Sequence, residues 1–111
     1  MLSVSGATRV FVASEPVDLR SGYQRLYGLV IERLQQDPLS GHLFLFTNKE
    51  RDRIKVLWWD GSGLWLCAKR LQRGRFSWPR CPASTLSLRG EEFSALVSGL
   101  EVVAKANWYR R

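Results

Sequence analysis

Residues 53–70 read RIKVLWWDGSGLWLCAKR, and this stretch is the strongest indication of the fold. Two runs rich in β-branched and aromatic residues, Arg53–Trp59 and Leu64–Arg70, stand on either side of Asp60-Gly61-Ser62-Gly63. Runs of that composition favour β-strands, and glycine supplies the positive φ angles of tight hairpin turns. The stretch therefore predicts an antiparallel β-hairpin.

Further strands are predicted on both sides of this hairpin. Leu43–Thr47 is short, apolar and aromatic, and it follows the turn sequence Pro38–Gly41. Because only the polar residues Asn48–Asp52 separate it from the hairpin, three consecutive antiparallel strands are expected. Arg9–Ala13 and Thr85–Leu88 are typical of short flanking strands.

Apolar residues recur at helical spacing in two places. The first set predicts a helix that Asp18 or Ser21 caps and that ends by Asp37, since the residue before a proline disfavours helix. Its buried face is expected to consist of Tyr23, Leu26, Tyr27, Val30 and Leu34. The second helix has Glu91 and Glu92 in its first turn, where the dipole favours acids. Its apolar positions are Phe93, Leu96, Val97 and Leu100.

Together these elements predict an α+β fold. It consists of a small, mostly antiparallel sheet, a meander of three central strands plus short flanking strands, with two amphipathic helices. The 111 residues are expected to form a single domain, 1–111, because that length supplies one core. Residues 72–84 begin with a basic, aromatic connection of little strand or helix character. Residues 101–111 show no periodicity and are expected to form an irregular tail.

The composition narrows the class of protein. With 45% hydrophobic and 24% charged residues, the chain resembles an ordinary folded domain. Cys67, Cys81 and the single histidine, His42, are too few and too dispersed for a zinc site, so we expect no metal and no cofactor. We expect no signal peptide and no membrane-spanning run, and the bases lie in strand sequence rather than on an amphipathic helix. A cytoplasmic protein with reduced thiols and no membrane partner is expected.

Positive charge is concentrated in residues 49–80. This segment holds nine basic and three acidic residues, or +6 of the total net charge of +7, whereas residues 1–48 balance. Bases interleaved with aromatic residues are typical of nucleic-acid-binding surfaces. The alternative is the solvated face of a soluble sheet, which would leave strong self-repulsion. The candidate nucleic-acid-binding residues are Lys49, Arg51, Arg53, Lys55, Lys69, Arg70, Arg73, Arg75, Phe76 and Trp78.

The tryptophans of this region are expected to divide between core and surface. Neighbouring residues on a strand point to opposite faces, so Trp58 and Trp59 cannot fill the same core. Trp65 and one of that pair are expected to be buried, because an indole contributes a large apolar area. Trp78 and Phe76, which lie in the irregular basic connection, are candidates for a surface that stacks on bases or contacts protein.

Several segments resemble a bacterial protein family over residues 10–100, in order and in spacing. They are Val17-Asp18-Leu19-Arg20, residues 37–46 (DPLSGHLFLF), residues 52–61 (DRIKVLWWDG), Lys69-Arg70-Leu71 and residues 74–79 (GRFSWP). The chain resembles the small accessory protein, called TnpB or second open reading frame protein, of the insertion sequence sixty-six transposable elements. It departs from that pattern at Cys67-Ala68, where relatives tend to carry an aromatic residue, and after Leu100.

The resemblance implies an accessory role in DNA transposition beside a separate transposase, which carries the acidic active site for strand cleavage and joining. It implies no catalytic residue in this chain. The implied partners are DNA at the element ends, the transposase and the other accessory protein of the element. A protein that binds no DNA and instead docks on the transposase through its aromatic surface is the alternative hypothesis.

An enzyme is the third hypothesis. His42, Asp52 and Asp60 could in principle form an acid–base or metal site. Asp60 is, however, explained by turn chemistry, and His42 by a local hydrogen bond at the start of a strand. Asp18 and Arg20 suit a helix cap and an ion pair as well as a site. We therefore expect no enzymatic activity.

Overall fold

The computed structural model describes residues 8–20, 22–79, 83 and 85–99. Its elements, in chain order, are β1 Val10–Ala13, α1 Tyr23–Glu32, β2 Leu43–Thr47, β3 Arg53–Trp59, β4 Leu64–Arg70, β5 Thr85–Leu88 and α2 Gly90–Val97. The α+β class, the hairpin and the mostly antiparallel sheet are confirmed. Ser21, Leu100 and the expected tail 101–111 lie outside the described residues. None of the helices described has the length and apolar character needed to cross a membrane.

The five strands form one sheet in the order β4-β3-β2-β1-β5. The strands β2, β3 and β4 make the expected antiparallel meander, and β5 pairs antiparallel with β1. β1 and β2 are parallel, with Val10 opposite Leu43. Parallel neighbours require a crossover connection, and α1 supplies it, running back from the end of β1 to the start of β2.

Side chains alternate along each strand between two buried layers. On one side, Phe44, Phe46 and Leu57 pack with α1 residues such as Leu26 and Val30. On the other side, the layer is completed by the connection after β4 and by α2. Its members are Val10, Val12, Leu43, Leu45, Ile54, Val56, Phe76, Trp78, Leu88, Phe93 and Leu96. The sheet is therefore covered on both faces, with α1 on one and α2 on the other.

Phe76 and Trp78 are part of this core, which corrects the expectation that they form an exposed stacking surface. They are 2% and 3% exposed. The connection after β4 folds under the sheet on the α2 side, where a single short helix leaves apolar area to cover. A buried indole N–H needs an acceptor, and Trp78 Nε1 donates to the carbonyl oxygen of Ala13 at 2.9 Å. Both rings therefore hold the connection against β1.

Trp65 is the opposite case, because it was expected in the core and is 46% exposed. The reason is its place on β4, an edge strand of the sheet, on which no residue is fully buried. Its cross-strand partner Trp58 is half-buried and packs against the α2-side layer. Trp59 points to the α1 side and is also half-buried.

The start of α1 differs from the expectation. Its N-cap is Gly22, without a side-chain cap hydrogen bond, so the expected capping by Asp18 is wrong; Asp18 bonds to Arg20 instead. Leu26 and Val30 are buried as expected, whereas Tyr23 is 49% exposed. In α2, Glu91 and Glu92 occupy the first turn and Phe93 and Leu96 are buried, as expected.

Candidate nucleic-acid interface

The sheet brings the candidate basic residues together at one of its ends. β3 begins and β4 finishes there, with Arg53 opposite Arg70 and Lys55 opposite Ala68. The loop before β3 and the connection after β4 meet at the same end. We call this region the basic end, and its bases are Lys49, Arg51, Arg53, Lys55, Lys69, Arg70, Arg73 and Arg75. All eight basic residues singled out from the sequence therefore converge there.

The loop between β2 and β3 is built around Asn48. Its Oδ1 accepts hydrogen bonds from the amides of Asp52 and Arg53, at 3.2 and 3.1 Å. Its Nδ2 donates to Asp52 Oδ1 at 2.7 Å. Arg51 takes the left-handed backbone conformation, with φ of 60°. One half-buried amide side chain thus satisfies the turn that presents Lys49 and Arg51.

Backbone hydrogen bonds attach the connection after β4 to this loop. The amide of Leu71 donates to the carbonyl of Asp52 at 2.8 Å, and the amide of Phe76 donates to the carbonyl of Arg51 at 2.7 Å. The exposed residues between these two points include Arg73 and Arg75. Two basic segments that are distant in sequence are therefore joined into one surface.

The bases divide between the two sides of the sheet. Arg53, Lys55 and Arg70 share the α1 side, because paired residues point to the same face. Lys69 points to the α2 side, and its Nζ donates to the carbonyl oxygen of Val97 at 2.7 Å. A cation at a helix C-terminus satisfies a free carbonyl and complements the dipole. Lys69 therefore has a structural function besides its predicted contact with nucleic acid.

A groove on the α1 side adds Arg20, a base that was not among the candidate nucleic-acid-binding residues. The segment Leu19-Arg20 forms one wall, and Arg53, Lys55 and Arg70 line the rest together with neighbouring strand residues. Leu19 and Arg20 also line an adjoining groove against Asn48–Arg53. The signal for Arg20 in the sequence was its place in the Val17–Arg20 motif, but only the fold places it opposite β3 and β4.

Comparison with known proteins places the chain in a family. The family model described as IS66 Orf2 like protein, TnpB_IS66, matches residues 8–107. The chain belongs to the IS66 Orf2-like family. This confirms the resemblance seen in the sequence, and the family indicates an accessory role associated with transposition. The match includes the whole basic end.

Two relatives of this family member come from Sinorhizobium fredii (strain NBRC 101917 / NGR234). The uncharacterized protein y4jC is 42% identical over 101 residues, which cover 91% of this chain and 86% of the relative. The uncharacterized protein y4hO is 38% identical over 101 residues, covering 91% and 88%. No solved structure matches the chain.

Carboxylates lie beside the basic end of this IS66 Orf2-like protein and stay ionised at neutral pH. The pKa of Asp18 falls to about 2, because the Arg20 side chain and amide donate hydrogen bonds to it. The pKa of Asp52 is lowered chiefly by the hydrogen bond from Asn48. Asp18 forms an ion pair with Arg20 at 2.9 Å. Asp18 therefore offsets part of the positive charge on the groove wall that Leu19 and Arg20 form.

The residues considered for catalysis do not come together in this IS66 Orf2-like protein. Asp52 lies at the basic end, whereas His42 and Asp60 lie at the opposite end of the sheet, where β2 begins and β3 finishes. His42 makes the expected local bond, since its amide donates to Ser40 Oγ at 3.3 Å. Its Nδ1 also accepts the amide of Arg9, the residue before β1, at 3.0 Å.

Asp60 organises the β3–β4 turn, as its turn chemistry predicted. Its Oδ1 accepts the amides of Ser62 and Gly63, at 2.8 and 2.9 Å, and its Oδ2 accepts Trp65 Nε1 at 2.8 Å. These donors hold the pKa of the carboxyl far below its ordinary value. The carboxylate of Asp60 is thus engaged in holding the turn and the exposed indole of Trp65.

Proposed function

We propose that this protein is a non-catalytic accessory factor for transposition of an insertion sequence that binds DNA through the basic end. The observation that supports this most is the convergence of eight bases from two separate segments on one end of the sheet. Family membership indicates that the process is transposition. The positive charge of the basic end supports an anionic ligand, for which we propose DNA. A cationic patch of this density attracts phosphate and releases counterions from it.

The exposure of the side chains agrees with this function. Lys49, Arg53, Arg70, Arg73 and Arg75 are all exposed. Ion pairs away from these five bases join Arg20 to Asp18 and Arg89 to Glu91 and Glu92. Arg53 and Arg70 share the attraction of one carboxylate, Asp52, so the exposed bases still repel one another and gain when an anionic polymer binds. The proposal therefore explains why the protein keeps so much like charge in one place.

Binding of the protein to duplex DNA is expected to weaken steeply with salt. If about 4 to 6 phosphates are contacted, the plot of log K against log salt concentration has a slope of about −4 to −5. Replacing Arg73 and Arg75 together by alanine removes up to two contacts, so the slope becomes shallower by about 1 to 2. Fluorescence anisotropy with element-end and scrambled duplexes at several salt concentrations measures the slope for the parent protein and for the double variant.

A matched control removes the same charge from the other end of the molecule. Arg9 precedes β1 and Arg33 follows α1, so both lie toward the opposite end. Arg9→Ala with Arg33→Ala is expected to leave the slope within about 0.5 of the parent value, because these bases contact no phosphate. Equal effects of the two double variants, or no binding by the parent protein, would contradict the proposal.

The exposed Trp65 favours a second candidate function, an adaptor that docks on the transposase of the same element. Its ring is 46% exposed, and the Asp60 carboxylate holds it in place. A rigid exposed tryptophan loses little entropy on contact, and tryptophan is enriched among the residues that dominate protein interfaces. Trp65 lies at the end of β4 farther from the basic end, so both partners could bind together.

Trp65→Ala is expected to weaken binding of the transposase by about 30-fold or more, as loss of a central interface anchor does. It is expected to leave DNA affinity unchanged, because the residue is distant from the basic end. Isothermal titration calorimetry with the purified transposase of the element measures the affinity for the transposase. Fluorescence anisotropy measures the affinity for DNA. Tyr23→Ala, which removes another exposed ring, is the control. Unchanged transposase binding by Trp65→Ala would rule out this contact.

A further inference from the structure

The basic end combines exposed cations with buried rings. Phe76 and Trp78, the aromatic residues of the basic connection, are 2% and 3% exposed. Phe46, which lies opposite Lys55, is 1% exposed. Neither groove on the α1 side is lined by an aromatic side chain. The exposed ring of Tyr23 begins α1 and lines neither groove. Within the described residues, the grooves therefore offer charge without a stacking platform.

This separation distinguishes between two forms of nucleic acid. Proteins that hold single strands combine a cationic groove with aromatic side chains, and each stacked base adds to the affinity. A surface without accessible rings loses that contribution. A duplex keeps its bases stacked on one another and presents about one negative charge per 1.7 Å of axis. Charge without rings therefore favours the duplex.

Arg53 and Arg70 form an unusual pair within this surface. They are directly opposite each other on adjacent strands and point to the same side of the sheet. Like charges in that position destabilise a sheet. Asp52 attracts both guanidiniums while also accepting Asn48 Nδ2, so a single carboxylate offsets only part of the repulsion between two arginines. An anion between the two arginines would remove the repulsion, and guanidinium groups hold phosphate through two parallel hydrogen bonds.

We propose that the basic end binds the sugar–phosphate backbone of double-stranded DNA, that Arg53 and Arg70 share one phosphate, and that no base stacks on the protein. The inference rests on the proposed function, which names DNA but not its form. Arg20, on the opposite wall of the same groove, pairs with Asp18 but is 88% exposed, and its remaining N–H groups are placed to contact a neighbouring phosphate. Contacts to phosphate carry no sequence information, so binding is expected to depend little on sequence.

The test compares one duplex, a scrambled duplex of the same length and the two separated strands, by anisotropy at one salt concentration. The duplex is expected to bind at least about tenfold more tightly than either strand, because its charge density is higher. The scrambled duplex is expected to bind within about twofold of the original. Tyr23→Ala is expected to change neither affinity.

The Arg53–Arg70 pair has a signature that needs no DNA. Arg53→Gln with Arg70→Gln is expected to weaken duplex binding by about 10- to 100-fold, the loss of charge-assisted hydrogen bonds. The same variant without DNA is expected to unfold at a higher temperature than the parent protein, because the cross-strand repulsion is gone. Arg9→Gln with Arg33→Gln, of equal net charge, is expected to change duplex binding less than threefold.

The outcomes separate the two proposals. If neither duplex nor strand binds, the proposed function fails and the inference fails with it. If a single strand binds as tightly as the duplex, or if Tyr23→Ala weakens binding, the inference is overturned while DNA binding stands. If the Arg53→Gln and Arg70→Gln double variant unfolds at a higher temperature yet binds duplex like the parent protein, the claim that the two arginines share a phosphate is overturned.

Discussion

Replacing Trp78 by alanine is expected to lower the free energy of unfolding by about 3 to 5 kcal/mol, the usual cost of truncating a buried aromatic ring. The side chain is 3% exposed and packs in the α2-side layer. Its loss also leaves the carbonyl of Ala13 without the indole donor. A domain of this size is stabilised by about 5 to 15 kcal/mol in total, so urea denaturation will show the loss of a large share of the parent stability.

Two further variants separate the contributions of the indole. Trp78→Phe keeps most of the apolar area but removes the donor to Ala13, and we expect a loss of about 1 to 3 kcal/mol. Trp65→Ala, at an exposed ring, is expected to lose much less than Trp78→Ala. If Trp78→Ala kept the parent stability and lost only DNA affinity, the ring would be a surface residue and the described core would be wrong.

Asn48→Ala is expected to have the second largest effect. The side chain accepts two backbone amides and donates to Asp52, and leaving such groups without partners costs about 1 to 3 kcal/mol. Because the carbonyls of Arg51 and Asp52 hold the connection after β4, the loss is expected to loosen both segments of the basic end. Chemical denaturation measures the loss of stability. Faster hydrogen exchange at the amides of Leu71 and Phe76 would show that the connection has loosened.

Asn48→Asp is a second test at this position. The lowered pKa of Asp52 makes the parent lose stability as the pH falls, and this variant is expected to show the opposite trend. The new carboxylate keeps the acceptor for the loop amides but stands where Nδ2 now donates to Asp52 at 2.7 Å. Two adjacent carboxylates raise the pKa of one of them in the folded state. The folded protein then binds more protons than the unfolded one, so this variant gains stability as the pH falls from 7 toward about 4. A variant that loses stability over this range would exclude close contact between the two side chains.

The regular part of the fold could be predicted from local sequence. The strands Arg53–Trp59 and Leu64–Arg70 and the turn at Asp60 follow from residue type and short spacing, which are local properties. The opposite orientations of Trp58 and Trp59 also follow, because strand geometry dictates them. The pairing of β3 with β4, which brings the bases of these two strands together, also follows from the short turn between them. These features required no knowledge of distant contacts.

What could not be predicted depends on distant parts of the chain. The burial of Trp78 is decided by β1, 65 positions earlier, which supplies the acceptor for its indole. The exposure of Trp65 is decided by β4 lying at the edge of the sheet, which is a matter of strand order. Arg20 lines the groove because the segment after β1 lies beside β3 and β4 on the α1 side of the sheet. No periodicity in the sequence reports such arrangements.

The coverage of the sheet by late segments has a consequence for the chain while the ribosome is making it. The residues of β1 to β4 have all been synthesised once Arg70 has been added. The sheet face that carries Val10 and Leu43 is covered only when Phe76, Trp78 and α2 pack against it. A nascent chain whose later segments are still held in the ribosome exposes this apolar face of the sheet, and we expect chaperones to bind the chain at that stage.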